Sequence, residues 1–583
     1  MFLEDITKID ELEHDFLEYC YASSGALSQY AMISKQILES RYSLAHETED
    51  HHEVEPAVGR HGVSSQLTVD ALASALSQRP IILLGDVGVG KTMFIRRLIN
   101  IDAAEVFDNT FTLFIDFGRQ PALVEELSEF VATEVARQFL NKYQIDIYAK
   151  EFVEAVHHGE LNRFDRGIYG ELKDVDEGGY RRERIAFLAR LTSNANAHLK
   201  ACLEHLRGSM RRQVVIFLDN IDQRPHEFQE QVFLIAEATA NDWPATVFVS
   251  LRPDTFYRSR SEGTLSAYQP RVFTISPPRI DIVLERRLEF ALKQLQETSR
   301  LSLFPAGVTL ESESLVAFLE VLLQNFRSNE KLLELIDNLA SGNTRRALDF
   351  VSAFVASGHV DTRKILRIYE EEGRYTIAMH EFLRSIIYGD YEYYEPEASP
   401  VANLFDISQP DGKEHFLLGL VLGHVELRGD LAGSDGYVPT DGLFEFAQRS
   451  GFTSDQVAWA IHRGVEKGLL ERAPRTGKRS DSEHLRVTSA GVYTARVLAG
   501  VFAYIDAVVI DTPIVDTGFS RAIGDAHTLS ERVRRVELFR AYLDKQWLSL
   551  EPSLEQATGS FSWREHSERL RTESDRVARF ATD

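Results

Sequence analysis

The stretch Gly85-Asp86-Val87-Gly88-Val89-Gly90-Lys91-Thr92 constrains this chain more than any other, because it satisfies G-x-x-x-x-G-K-[ST] in full. An apolar run, Pro80-Ile81-Ile82-Leu83-Leu84, stands before it, and Met93-Phe94-Ile95-Arg96-Arg97-Leu98-Ile99 has helical character after it. A continuous apolar run ending in glycine reads as a strand buried on both faces. The glycines let the backbone curl tightly, so that successive NH groups and the following helix N-terminus present partial positive charge to a phosphate. Further strands are expected at Phe111–Ile115, Val214–Leu218, Thr246–Val249 and Val272–Ile275, alternating with helical segments. That alternation implies an α/β fold with a parallel sheet covered on both faces.

The loop chemistry specifies a ligand. Gly85, Asp86, Val87, Gly88, Val89, Gly90, Lys91, Thr92 and Met93 are the expected ATP-binding residues. Lys91 is placed to reach the β- and γ-phosphates, and Thr92 to ligate Mg2+. Such a site needs a second carboxylate at a strand end, and Val214-Val215-Ile216-Phe217-Leu218-Asp219 supplies Asp219 for the magnesium sphere. Asn220 follows Asp219, and an amide is no base at neutral pH. Asp222 either compensates or caps the next helix. The strand Thr246–Val249 leads into Ser250-Leu251-Arg252-Pro253, which brings Ser250 or Arg252 toward a γ-phosphate.

At 583 residues the chain exceeds one hydrophobic core. Residues 1–58 read as N-terminal helices and an acidic linker; in the linker, His46-Glu47-Thr48-Glu49-Asp50-His51-His52-Glu53 is a solvated stretch rather than a metal site. A short helix is expected over Thr68–Leu76. Residues 59–280 form the core, with a mostly helical insertion at about 120–210; 281–395 are helical, 400–500 mix short helices with a hairpin, and 501–583 return to helix. Cys20 and Cys202 suffice neither for a disulfide framework nor for a cysteine zinc site, which suits a reducing cytoplasm. No apolar run reaches the roughly 18 residues of a membrane span, and the acidic start Met1-Phe2-Leu3-Glu4-Asp5 is unlike a secretory signal. A formal charge of -25 argues against nonspecific coating of nucleic acid, so any DNA contact has to be local.

Further on, Gly342-Asn343-Thr344-Arg345-Arg346 opens a helix. The series of phosphate loop, Asp-x-x-Asp strand end, strand ending in Ser or Arg, and Gly-Asn-x-Arg helix resembles the initiator-type AAA+ ATPases of the origin-recognition class, a group of P-loop NTPases. Leu251-Arg252-Pro253 is similar to the STAND NTPases, which share that core. The likeness spans about residues 60–355. It implies that Asp219 and Asp222 form the second nucleotide motif, that Ser250 or Arg252 is a sensor, and that Arg345 reads the nucleotide from a helical lid. Arg258, Arg260 and Arg271 lie where an arginine finger would, without a motif to choose among them.

Such initiators commonly carry a winged helix after the lid. Here its helices fall at Glu414–His424, Thr440–Ser450 and Thr453–Lys467, and its strands at Leu469–Arg472 and Glu483–Val487 around a wing at 473–480. Residues 411–500 hold 11 Lys/Arg against 12 Asp/Glu, with cations at Arg463, Lys467, Arg472, Arg475, Lys478 and Arg479. Phosphate contacts around a groove-bound third helix are one expectation, and protein contacts the other. The leading expectation is therefore a slowly hydrolysing ATPase switch that acts on duplex DNA and self-associates with nucleotide. A STAND-like signalling or scaffold ATPase with protein partners is the alternative.

Overall fold

Among the described residues the apolar runs form five strands: β1 at Ile81–Leu84, β2 at Thr110–Asp116, β3 at Gln213–Asp219, β4 at Ala245–Leu251 and β5 at Arg271–Thr274. All pairings are parallel, in the order β2-β3-β4-β1-β5. β1, β3 and β4 are buried along their whole length, which is why their sequences lack hydrophobic alternation. The structure is a computed structural model that describes residues 13–22, 34, 79–119, 127–221, 224, 226–253, 255–256, 271–297, 312–432, 436–473, 483–550, 554 and 561–580. The His46–Glu53 stretch, the expected helix at Thr68–Leu76, Asp222, Arg258, Arg260 and the wing cations Arg475, Lys478 and Arg479 lie outside the described residues. The chain divides into two compact units, residues 23–276 and residues 1–22 with 277–583.

In the first unit β2 is an edge strand, and an edge leaves backbone groups in need of partners. The helix Leu127–Tyr143 supplies them from side chains. Gln138 accepts from Phe114 N at 2.9 Å and donates to Phe114 O at 2.7 Å. The Tyr143 hydroxyl accepts from Thr112 N at 2.7 Å and donates to Thr112 O at 3.1 Å, with Lys142 Nζ on the same carbonyl at 3.0 Å. The helical insertion thus completes β2 as a further strand would. Its helices continue to Ala195–Met210, whose Leu199, Cys202, Leu203 and Leu206 are buried.

The second unit begins with helices, among them Ile280–Glu297, Ser312–Ser328, Glu330–Ala340, Thr344–Ala356, Thr362–Glu372 and Met379–Tyr388. The short helix Glu13–Tyr19 belongs to this unit and sets Phe16 edge-on to Phe290, ring centroids 5.9 Å apart. There follow a helix Leu417–Ala432, β6 at Val438–Pro439, helices Thr440–Arg449 and Ser454–Glu466, β7 at Leu470–Arg472 and β8 at His484–Val487. The small antiparallel sheet runs β6-β8-β7, which is winged-helix topology. Its third helix starts at a capping box, with Thr453 and Gln456 bonded reciprocally, and stops at Gly468, whose φ of 70° suits glycine. The architecture is therefore α/β: a parallel-sheet core followed by helices, a winged helix and terminal helices.

The terminal region is tied by charge. Asp506, in the helix Phe502–Val508, is 1% exposed at its side chain and lies among Arg532 and Arg535 of the helix Leu529–Leu550. Arg532 Nε and Arg535 Nη2 each donate to it at 2.7 Å. No single helix among the described residues is long and apolar enough to cross a membrane. Removing one member of a buried ion cluster strands the others, at a cost of about 3–5 kcal/mol. Asp506→Ala is expected to destabilise the second unit by that order, read as a lower denaturant midpoint by tryptophan fluorescence, since Trp547 and Trp563 lie in the same core.

Candidate nucleotide-binding site

The backbone of the loop after β1 has the shape its sequence implies. Gly85 N donates to Leu251 O at 3.2 Å, which fastens the strand end to β4. A Cβ on Gly85 would meet Val89 Cγ2 at 2.8 Å and Ile275 O at 3.0 Å, so a side chain there is excluded on two sides. Gly88 and Gly90 have φ of 80° and 100°, the left-handed region that glycine enters without penalty. The helix Lys91–Arg97 starts at once from Gly90.

Lys91 is 6% exposed, and its Nζ donates to Gly85 O at 2.7 Å and Asp86 O at 3.0 Å. The ammonium is thus curled over the loop it would otherwise extend across to a phosphate. The Thr92 hydroxyl donates to Asp219 Oδ2 at 2.7 Å, joining the start of the helix to the end of β3. Asp219 is 1% exposed. A buried carboxylate beside a hydroxyl gives a pair of hard oxygen donors, the chemistry that suits magnesium.

Asn220 departs from regular geometry. Its φ is 58°, a left-handed conformation that costs an L-residue about 1–2 kcal/mol, least for Asn and Asp. Its Nδ2 donates to Asp116 Oδ1 at 2.8 Å, and Gly118 N donates to the same oxygen at 2.9 Å. Asp116 is the register partner of Asp219 across β2 and β3. Sequence reasoning ended the β2 strand at Ile115 and missed this carboxylate. The signal was present: adjacent strands that both end in Asp.

Arg224 donates from Nε and Nη2 to Phe117 O at 3.0 and 2.9 Å, which clamps the turn after β2. Ser250, on β4 opposite Leu83, is 1% exposed, and its hydroxyl has no hydrogen-bond partner among the described residues. Arg252 follows β4 and is partly exposed. The site in the first unit thus gathers the loop, Asp219 and Asn220. Arg345 is in the second unit, exposed in the first turn of the helix Thr344–Ala356, while Arg346 beside it donates to Pro400 O at 2.7 Å and lies over Phe350.

The cations expected on the third helix of the winged domain require correction. Arg463 is 7% exposed, with Nη1 on Glu466 at 2.9 Å and Nη2 on Pro396 O at 3.3 Å. Lys467 is 9% exposed and donates to Pro396 O and to Ser399 O. Burial and the Arg463 charge hold the Lys467 amine below the ordinary lysine range. Arg472 pairs with Glu483 at 2.8 Å. Arg463 and Lys467 fasten the domain to the preceding chain, and the exposed face of the helix carries Asp455, Ala458, His462 and Glu466 instead. Helical spacing does not reveal which way a long cation turns when backbone carbonyls are waiting inside.

No protein-family model matches the chain, and no curated protein matches it. Among solved structures it is similar to the Aeropyrum pernix ORC2 protein in its ADP form, at 13% identity and a TM-score of 0.34, covering 75% of this chain and 92% of that one. It is similar also to Cdc6p from Pyrobaculum aerophilum, at 12% identity and 0.26, covering 76% and 95%. A third is the Aeropyrum pernix ORC1 protein in complex with DNA, at 13% and 0.22, covering 79% and 95%. The fold class rests on the strand order and register above.

Charge-assisted hydrogen bonds contribute roughly 1.5–3 kcal/mol each. Lys91→Ala is therefore expected to weaken ATP binding by about 10- to 100-fold in calorimetry. An unchanged affinity removes the phosphate role from this loop.

Proposed function

We propose that the chain is an ATP-binding, magnesium-dependent P-loop ATPase of the AAA+ type that hydrolyses slowly and works as a switch. The observation that carries this reading is the contact of Thr92 with Asp219 beneath a glycine loop whose Lys91 is held over its own carbonyls. Lys91 swings from Gly85 O and Asp86 O to the β- and γ-phosphates when nucleotide enters. Backbone NH groups of residues 86–92 and the helix N-terminus take the remaining phosphate charge. Thr92 and Asp219 would hold magnesium, which would supply positive charge against the phosphates. Turnover is slow because the residue after Asp219 is an amide and lacks a base's proton affinity. Arg252 and Arg345 are proposed to sense the γ-phosphate, Arg345 from the helical lid. Nucleotide-promoted self-association is part of the same reading, as is a cytoplasmic setting for a chain whose two cysteines are both free and buried.

The switch is proposed to act on duplex DNA through the winged helix. Since the cations of its third helix turn inward, the proposed contact is assigned to the segment 473–480, in whose sequence Arg475, Lys478 and Arg479 lie close together. Such contacts position a protein on the phosphates without reading bases. A protein-binding, STAND-like reading is favoured by one observation, the Asp455 and Glu466 carboxylates on the exposed face of that helix.

Two measurements test these readings. Asp219→Asn is expected to lose most of the magnesium-dependent part of ATP affinity; full magnesium dependence in the variant transfers the metal to another carboxylate. Reversing Arg475, Lys478 and Arg479 to Glu is expected to weaken duplex binding equally across sequences, and to flatten the plot of log K against log salt by about 0.9 for each phosphate no longer neutralised. Wild-type affinity at low salt in that variant assigns the domain to protein contacts.

A further inference from the structure

We infer that Asp116, on the neighbouring strand, is the general base of ATP hydrolysis and that Asn220 is the residue that positions it. The inference rests on the ATPase reading above and names the group that reading leaves open.

An attacking water has to lose a proton as its oxygen bonds to the γ-phosphorus, and a carboxylate within reach accepts it. At the C-terminal ends of the five strands, the described residues offer two carboxylates, Asp116 and Asp219. Asp219 is engaged with Thr92 and assigned to the metal. Asp116 stands opposite Asp219 in the parallel register, so the two side chains leave the sheet on the same face. That is the face on which Asp219 meets the helix after the phosphate loop.

Asn220 links the two. It immediately follows Asp219 and takes a φ of 58°, and its amide nitrogen donates to Asp116 Oδ1. With the nitrogen committed, the amide is oriented: its oxygen is the end left to accept from a water. A carboxylate and an amide oxygen side by side can hold one water between them. Gly118 N and the Arg224 clamp on Phe117 O fix the turn that carries Asp116, so this arrangement is built into the backbone. Strained backbone at a polar cluster is the pattern of a preorganised site.

In the step itself, the water oxygen bonds to Pγ and the bond from Pγ to the bridging oxygen breaks. ADP leaves with that electron pair, and the water's proton passes to Asp116. A base reaching from the next strand is less directly placed than one at position 220. Slow turnover is therefore still expected, but with a titratable group behind it.

The test uses the full chain with Asp116→Asn, which keeps an acceptor for Gly118 N and Asn220 but removes the base. Expected are ATP affinity within about two-fold of wild type by fluorescent-nucleotide titration, turnover down by about 10²-fold or more, and loss of the acid limb of the pH–kcat profile. Asn220→Ala, which leaves the carboxylate in place, is expected to lower kcat while keeping that limb. ATP, rather than ADP, should be recovered from Asp116→Asn after incubation with magnesium. Wild-type turnover in Asp116→Asn overturns the inference, as does loss of the acid limb in Asp222→Asn alone. A wild type that binds ATP without hydrolysing it overturns the inference and leaves nucleotide binding standing. Failure of the wild type to bind ATP at all removes the ATPase reading itself. If Asp116→Asn fails to fold, Asn220→Ala decides: an unchanged kcat there overturns the pairing.

Discussion

A carboxylate buried at the end of a parallel strand has to be paired, and Asp219 satisfies that demand with the hydroxyl of Thr92. The contact joins residues 127 positions apart in the chain. It holds the helix start that follows the glycine loop against the end of β3, with β4 between β3 and β1 in the sheet. The other features of the site depend on it. The loop is anchored below through Gly85 N on Leu251 O, and the turn after β3 departs in the left-handed conformation that lets Asn220 reach β2. Without a fixed Asp219, neither the loop nor the Asn220 turn has a common reference.

The conformation of the glycine loop was legible from sequence because its signals are local. Glycines at fixed positions, a lysine and a threonine on consecutive residues, and a buried strand before them leave little freedom of interpretation. β1, β3 and β4 were legible too, since strands covered on both faces are written as unbroken apolar runs. Asp116 was not legible as a site residue: its meaning comes from register against Asp219 and from the amide of Asn220, 104 positions away. A motif records spacing along the chain, whereas register pairs residues whose separation is set by whatever lies between, here the helical insertion.

The winged domain shows the same limit from the side of charge. Its helices and strands followed from caps, the Gly468 stop and short apolar stretches, all local signals. The direction of Arg463 and Lys467 did not, because a long aliphatic stem lets a cation lie either outward or across its own domain. Here the carbonyls of Pro396 and Ser399 accept from them, and the charge that looked available for phosphate is committed to holding the preceding chain.

Edge protection and the proposed hydrolytic base meet at β2. An edge strand leaves backbone groups without a neighbouring strand, but Gln138 and Tyr143 bind the outward backbone groups of Phe114 and Thr112 and satisfy them from side chains. The same strand carries Asp116, which stands in register with Asp219 and accepts from Asn220 Nδ2 at 2.8 Å. A helical insertion between β2 and β3 thus does more than lengthen the connection. By completing the edge, it gives the outer strand that ends in Asp116 the side-chain partners a further strand would supply, which is the kind of support the proposed base would need.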